Sequence, residues 1–485
     1  MNYLRENFLT RGLLKMPLEQ MIFWSIVVIY ALIRLLFVFS TRVGLEIGEE
    51  DNLWNILQIL DGRTIYTNPA EKPFEIFLYP PISQLAYAWV IKILAIKNIY
   101  WMSVVLRGLS LCCNLGTVLI IRTFMVKTLG HNQAKYINWL ILTALATMIH
   151  LNWTIRVDAL SVLFSVFLIV YCVNRLTDFD FKSILFASFL INISIFTKQD
   201  GIQFIGILPV ALILIRKLKE GIFLFLVSIF LLILSCFVAD IIWGQNFYDS
   251  VIGGVSNPLS LSNAFDVINR YFQLYSLLPI LIISFAIWGV IRFESETDQF
   301  LSIVVIGTFS FACVTSMKFG AWVNYFTLFN LLGIILLSRG IHYIRRFDLA
   351  VLTIICFLFY FISGHVYHYL TPEFSLDKKE LTEKKVLSER IRKMLPSDKF
   401  IYTNDDILEL YLHDRTIFPN QIFYNGMCTY KHNLSRTLIN NIVLIKREEN
   451  FDYVEDNLLD FDKKNVLKID LGSNYCMYRI GSKTK

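Results

Sequence analysis

VGLEIGEEDNLWNILQILDGRTIYTNPAEKPFEIFLYPP, residues 43–81, is the stretch from which the rest of the chain can be read. It follows the first long apolar run, and about eleven further apolar segments come after it. Glu46, Glu49, Glu50 and Asp51 fall within six residues of one another. Carboxylates packed directly beside a membrane span are costly unless they are well solvated or used. The run NLWNILQIL (52–60) then places apolar residues at helical spacing, which predicts a short helix lying at the membrane interface. Gly62 is expected to end it, and Pro80-Pro81 to break the chain again.

Outward from this loop the chain is strongly apolar. Of 485 residues, 55% are hydrophobic and only 17% charged, a balance that predicts a polytopic helical membrane protein. Its 40 Phe, 23 Tyr and 9 Trp fit interfacial aromatic belts. The net charge of +6 comes from short basic loops between spans, so it reads as an orientation signal and not as a nucleic-acid surface. No cleavable signal peptide is expected, because residues 1–18 are polar and basic and the segment after them is long enough to span. Six of the eight cysteines lie in apolar runs and read as small core residues, while Cys428 and Cys476 lie in the polar tail.

Arg5, Arg11 and Lys15 favour a cytoplasmic N-terminus, with a first span near 20–41. Arg34 interrupts that span, either snorkelling or serving as a cation for a phosphate near the acidic loop. The segment 82–98 is apolar but short and carries Lys92. Counted as a span, it would put the basic clusters Arg122, Lys127, Lys135, then Arg216, Lys217, Lys219, then Arg339, Arg345, Arg346 outside. Counted as re-entrant or interfacial, it leaves them inside, as the positive-inside rule requires. Further spans are then expected near 102–124, 136–151, 159–176, 183–197, 201–215, 221–240, 271–292, 300–317, 321–338 and 348–369, about eleven in all, with the C-terminus outside.

On this topology three polar turns share the outer face with the acidic loop. They are 153–158 with Arg156 and Asp158, 197–201 with Lys198 and Gln199, and 318–325 with Lys318, Asn324 and Tyr325. Each sits between apolar runs and carries charge that turn chemistry does not require, as convergence on an active site would produce. The outer stretch 241–270 reads as a long polar loop able to cover a substrate cavity. From residue 371 the composition becomes charged, predicting a small C-terminal α/β domain. Helices are expected over 376–395 and 405–412, and strands over 399–403, 441–446 and 466–471. Asp405-Asp406 read as the cap of the second helix.

Neither a phosphate-binding glycine loop, a dinucleotide fingerprint, a zinc-ligand spacing nor a G-x-S-x-G elbow occurs. Carboxylates on one outer loop and cations on nearby turns suit transfer of a sugar from a lipid phosphate to a hydroxyl. A carboxylate would take the hydroxyl proton, and Arg or Lys would stabilise the departing phosphate.

The order of first span, acidic external loop, helix ending near Gly62, Tyr79-Pro80-Pro81, many spans and an external tail resembles the GT-C glycosyltransferases that use polyprenyl- or dolichyl-phosphate sugars. These include the protein O-mannosyltransferases and the aminoarabinose transferase that modifies lipid A. The resemblance covers roughly residues 20–370. It implies a catalytic carboxylate at Glu49, then Glu46, then Asp51 in order of preference, with Gly48 standing where relatives often have Asp. It implies that Glu50, Arg34, Tyr79, Asp158, Gln199, Asn324 and Tyr325 surround substrate, and that Arg156, Lys198 and Lys318 hold the lipid phosphate. It implies no resident cofactor, with a divalent cation between Asp158 and Glu46 or Glu49 left open. The partners implied are a polyprenyl-phosphate sugar donor, a glycan, lipid or protein acceptor, and membrane lipid. A flippase of lipid-linked saccharides and an O-antigen ligase or polymerase are the competing readings. No internal repeat favours the first, and the second would carry its function on a late loop. The composition fits a bacterial inner membrane with the site on the periplasmic or extracellular side.

Overall fold

The computed structural model describes residues 18–40, 49–67, 77–129, 134–149, 154–253, 259–275, 277–318, 320–340, 378–395, 400–403, 406–413, 442–447, 466–472 and 475–480. Glu46, the expected span 348–369, Cys428 and Asp405 lie outside the described residues.

The chain is mostly helical. The first apolar run forms α1 (Leu18–Val38). The acidic stretch then begins α2 (Glu49–Leu60), whose three leading carboxylate residues suit the positive end of a helix dipole. Its end is a Schellman turn. Gly62 N–H donates to Ile59 O and Arg63 N–H to Gln58 O, with Gly62 at φ +76°, where a side chain would be strained. After Pro80, α3 runs Pro81–Ile93. Its thirteen residues span about 20 Å, well short of a bilayer core, so α3 does not cross by itself.

The bundle follows as α4 (Ile99–Leu129), α5 (Ala134–Ile149), α6 (Asp158–Arg175), α7 (Phe181–Thr197), α8 (Gln203–Leu214) and α9 (Leu218–Trp243). Then come α10 (Gln245–Val251), α11 (Leu261–Tyr275), α12 (Leu278–Arg292), α13 (Glu296–Thr315) and α14 (Thr327–Gly340). Among the described residues five helices are long and apolar enough to cross a membrane, six if α11 and α12 are joined. Shorter apolar helices accompany them in α1, α7 and α8. The burial pattern is that of a protein dissolved in lipid. Only 17% of the apolar window of α9 is buried, so its side chains face outward to an apolar solvent, whereas 83% of the Val323–Gly340 window is enclosed by the other helices. The chain is a multi-pass membrane protein.

Two expectations fail here. The span near 271–292 is not one helix: α11 and α12 meet at 100°. Pro279, in the first turn of α12, has no N–H to offer the Tyr275 carbonyl and its ring would clash with that carbonyl in a continuous helix, and α11 is amphipathic, burying Ala264, Val267, Tyr271 and Tyr275 along one face. The outer stretch 241–270 is also not a plain loop, since it holds α10 and the first two thirds of α11.

In the tail, α15 (Lys378–Met394) and α16 (Asp406–Tyr411) accompany a four-stranded sheet. Its strands are β1 (Phe400–Thr403), β2 (Ile442–Arg447), β3 (Val466–Gly472) and β4 (Tyr475–Ile480). They run in the order β1-β2-β4-β3, with β1 parallel to β2 and the other pairs antiparallel. Strand β4 is absent from the sequence reading.

Candidate functional site

Glu49 opens α2 and is wholly buried. Both of its oxygens are held by Arg107 of α4: Nε donates to Oε1 at 2.7 Å and Nη2 to Oε2 at 2.8 Å. Oε1 also accepts the Ile155 N–H at 3.2 Å. Arg107, equally buried, donates through Nη1 to Ser40 O. The pair therefore joins the acidic loop to the turn leading into α6. Tyr87 of α3 holds the same turn, its hydroxyl donating to Arg156 O at 2.9 Å. Glu50 and Asp51 lie in α2 beside Glu49, but their side chains fall outside the described residues.

The turn delivers Asp158 as the first residue of α6, almost fully buried. Its Oδ2 accepts from Arg156 Nε at 3.0 Å, and its Oδ1 from Lys198 Nζ at 2.8 Å and Asn324 Nδ2 at 3.2 Å. Lys198 ends α7 in extended conformation and also reaches Asp200 Oδ2 at 2.9 Å. Burial pulls this ammonium toward neutrality, but the Asp158 and Asp200 carboxylates outweigh it and hold its pKa well above the ordinary lysine value. The Tyr325 ring lies 5.1 Å beneath Lys198 Nζ.

The three polar turns thus converge on Asp158, and Lys318, from the same turn as Asn324, lies beside them. It sits half-buried after α13, in a turn fixed by Asn263, whose side-chain amide donates to Ser316 O and Lys318 O. Burial lowers the Lys318 pKa, the neighbouring Lys198 charge lowers it further, and Asp200 offsets part of this. Among the described residues of the cluster, Arg156 and Lys198 are matched by Asp158 and Asp200, and Lys318 adds one further positive charge. Asp158, Ser161, Lys198, Asp200, Asn324 and Tyr325 line one cleft.

Gln199 braces the site. Its amide donates to Leu78 O and to Val251 O, tying the Tyr79-Pro80-Pro81 element and α10 to the Lys198 turn. Tyr79 is half-buried, its carbonyl accepts from the Tyr66 hydroxyl, and its side chain acts electrostatically on Lys198. Arg34 is buried on α1 with its guanidinium 5.9 Å from the Tyr30 ring centre.

Two residues escaped the sequence reading. Arg107 lies inside an apolar span, where a buried charge is itself a signal, and Asp200 stands in a turn from which only its neighbours were chosen. The tail also reaches the acidic loop. His413 O accepts from Gln58 Nε2 and Arg63 Nη2, its Nδ1 lies 2.7 Å from Asp61 Oδ2, and Leu410 packs against Leu53, Ile56 and Leu57 of α2.

No family model matches the sequence, and no curated protein matches it. Solved structures do match. ArnT from Cupriavidus metallidurans bound to undecaprenyl phosphate aligns with a TM-score of 0.58 at 12% identity, covering 93% of this chain and 97% of its own. The apo form of the same protein aligns at 0.60 and 11%. The archaeal oligosaccharyltransferase AglB from Archaeoglobus fulgidus, in complex with an inhibitory peptide and a dolichol-phosphate, aligns at 0.52 and 10%, over 88% of this chain and 69% of its own.

Proposed function

From a chain that has the GT-C fold of ArnT and AglB, we propose a membrane glycosyltransferase. It moves a sugar from a polyprenyl-phosphate donor to a hydroxyl of a glycan, lipid or protein acceptor. The observation that carries this reading is the meeting of Asp158, Lys198, Asp200 and Asn324 in one cleft at the ends of apolar helices, with Lys318 beside them. A lipid-linked substrate needs this layout: its tail stays among the helices and its charged head reaches a polar cleft at their ends.

The phosphate falls to Lys318. Arg156 and Lys198 already face carboxylates, so the surplus charge available to an anion is that of Lys318. As the sugar departs, charge grows on the phosphate oxygens, and an ammonium there lowers the barrier. The base comes from the acidic loop, where it would take the acceptor proton as the hydroxyl attacks the anomeric carbon in a single inverting displacement. Arg107 grips both Glu49 oxygens. That grip favours Glu46 or Asp51 as the base and gives Glu49 the task of positioning the loop. The scheme uses side chains of this chain and needs no cofactor.

We place the cleft on the periplasmic or extracellular face of a bacterial inner membrane, in a topology of about eleven crossings with the C-terminal α/β domain on the same side. The contact of His413 and Leu410 with α2 supports that last point, because it puts the tail and the acidic loop on one face.

The test is sugar transfer in membranes carrying the full chain, supplied with radiolabelled polyprenyl-phosphate sugars. Wild type is expected to consume one donor class, Lys318→Ala to lose donor binding, and one of Glu46→Gln and Asp51→Asn to lose turnover while donor binding persists. Unchanged turnover in the double variant Glu46→Gln/Asp51→Asn would remove the acidic loop from the chemistry.

A further inference from the structure

Among the described residues, the cleft contains two acceptors that meet no donor from the protein. Asp158 has both oxygens occupied. Asp200 has its Oδ2 on Lys198, but its Oδ1 is shut off from solvent and meets no hydrogen-bond donor. Asn324 is turned so that its amide nitrogen serves Asp158, which leaves its Oδ1 equally enclosed and without a donor. A buried acceptor left unpaired bears its full desolvation cost, and a charged one bears more. Two such oxygens on one cleft lining call for a ligand that donates hydrogen bonds.

The fold keeps Asp200 where it is. The single 3₁₀ turn Gln199–Ile202 that carries it is held by Gln203, whose amide donates to Asp200 O at 3.0 Å. Gly201 lies flat on α7, so close that a Cβ there would stand 2.5 Å from the Ser194 carbonyl carbon. The backbone of the turn is therefore fixed, and the Lys198 contact with Oδ2 sets the direction of the carboxylate. Asn324 is fixed in the same way by its bond to Asp158.

A phosphate does not answer this need, because its oxygens are acceptors and would be repelled by both sites. Resting on the transferase reading above, we infer that Asp200 Oδ1 and Asn324 Oδ1 bind hydroxyl hydrogens of the sugar ring, while Lys318 holds the phosphate. Asp200 and Asn324 then decide which glycosylated lipid is accepted, since a buried acceptor built for a hydroxyl rejects a ligand that lacks it. Asp200 also acts electrostatically on Lys318, which keeps the sugar and phosphate subsites adjacent.

The test compares binding of undecaprenyl phosphate with that of a panel of undecaprenyl-phosphate hexoses and pentoses, using the full chain in lipid nanodiscs and tryptophan fluorescence. Wild type is expected to prefer at least one glycosylated lipid by about tenfold or more, the worth of a charge-assisted hydrogen bond. Asp200→Ala and Asn324→Ala should each bring that preference to within about twofold. Asp200→Ala should hold undecaprenyl phosphate as well as wild type or better, because a negative charge beside Lys318 is gone; a purely structural role would weaken both ligands together. If Asp200→Ala does not fold, Asp200→Asn decides, since Lys198 will take its oxygen and leave an amide donor in place of Oδ1. A wild type that binds undecaprenyl phosphate but prefers no glycosylated form, or variants that keep the preference, would overturn the inference. A wild type that binds neither lipid would overturn the transferase reading itself.

Discussion

Replacing Arg107 by methionine should be among the most damaging single changes outside the cleft. Arg107 and Glu49 are both 0% exposed. Removing the guanidinium leaves an enclosed carboxylate that keeps the Ile155 N–H but has lost its charged partner, and an uncompensated buried charge of this kind costs about 3–5 kcal/mol. Glu49→Met should cost a similar amount, because it strands the guanidinium. If the two effects were independent, the double variant would lose about 6–10 kcal/mol. Removing both charges together avoids the stranded ion, however, and costs chiefly the hydrogen bonds to the Ile155 N–H and Ser40 O, a loss of about 1–3 kcal/mol. The measurement is a denaturant titration of the four forms in mixed micelles, followed by tryptophan fluorescence. A double variant whose loss equals the sum of the single losses to within about 0.5 kcal/mol would refute the coupling, and with it the claim that this pair fastens the acidic loop to the turn before α6.

Gly201→Ala should cost about 1–3 kcal/mol and abolish the sugar preference, because the added methyl collides with the α7 backbone and displaces Asp200; thermal unfolding and lipid binding check the two effects. Binding of undecaprenyl phosphate should weaken as pH rises. Lys318 must be protonated to hold the phosphate, and because its pKa lies below the ordinary 10.5, the loss should begin at lower pH than for an exposed lysine; a Lys318→Arg variant should flatten the profile. His413→Ala removes the imidazole contact with Asp61 and keeps the backbone carbonyl that serves Gln58 and Arg63, so hydrogen exchange should speed up at the α2 end around Asp61 while α6 and α7 stay as protected as in wild type.

Much of the architecture could be read without the structure, because it follows from local composition and period. An apolar run long enough to cross announces itself in one window, and so does a glycine that ends a helix, as Gly62 does. The helical segments near 102–124, 183–197 and 221–240 are visible for this reason, and the charged composition after 371 likewise marks the change to strands and solvated helices. The break between α11 and α12 was also written locally, in Pro279, but the run around it is apolar on both sides, so hydropathy alone joins the two.

The site divides in the same way. That Asp158, Lys198, Lys318 and Asn324 belong together could be anticipated from one pattern, charge placed at the ends of apolar runs. Which of them pair, and which stay available, could not. Glu49 finds Arg107 at a separation of 58 residues and Ile155 at 106, and Asp158 finds Asn324 at 166. Hydropathy and turn chemistry report on neighbours along the chain, whereas a carboxylate is neutralised by whatever helix packs against it. The sequence by itself determined a helical membrane protein with polar turns of opposite charge. Only the tertiary structure decided that Glu49 is held by Arg107, that Lys318 lies beside the Asp158–Lys198–Asp200 cluster and that one oxygen of Asp200 meets no donor among the described residues, because in a closely packed bundle those outcomes depend on ångström distances between segments far apart in the chain.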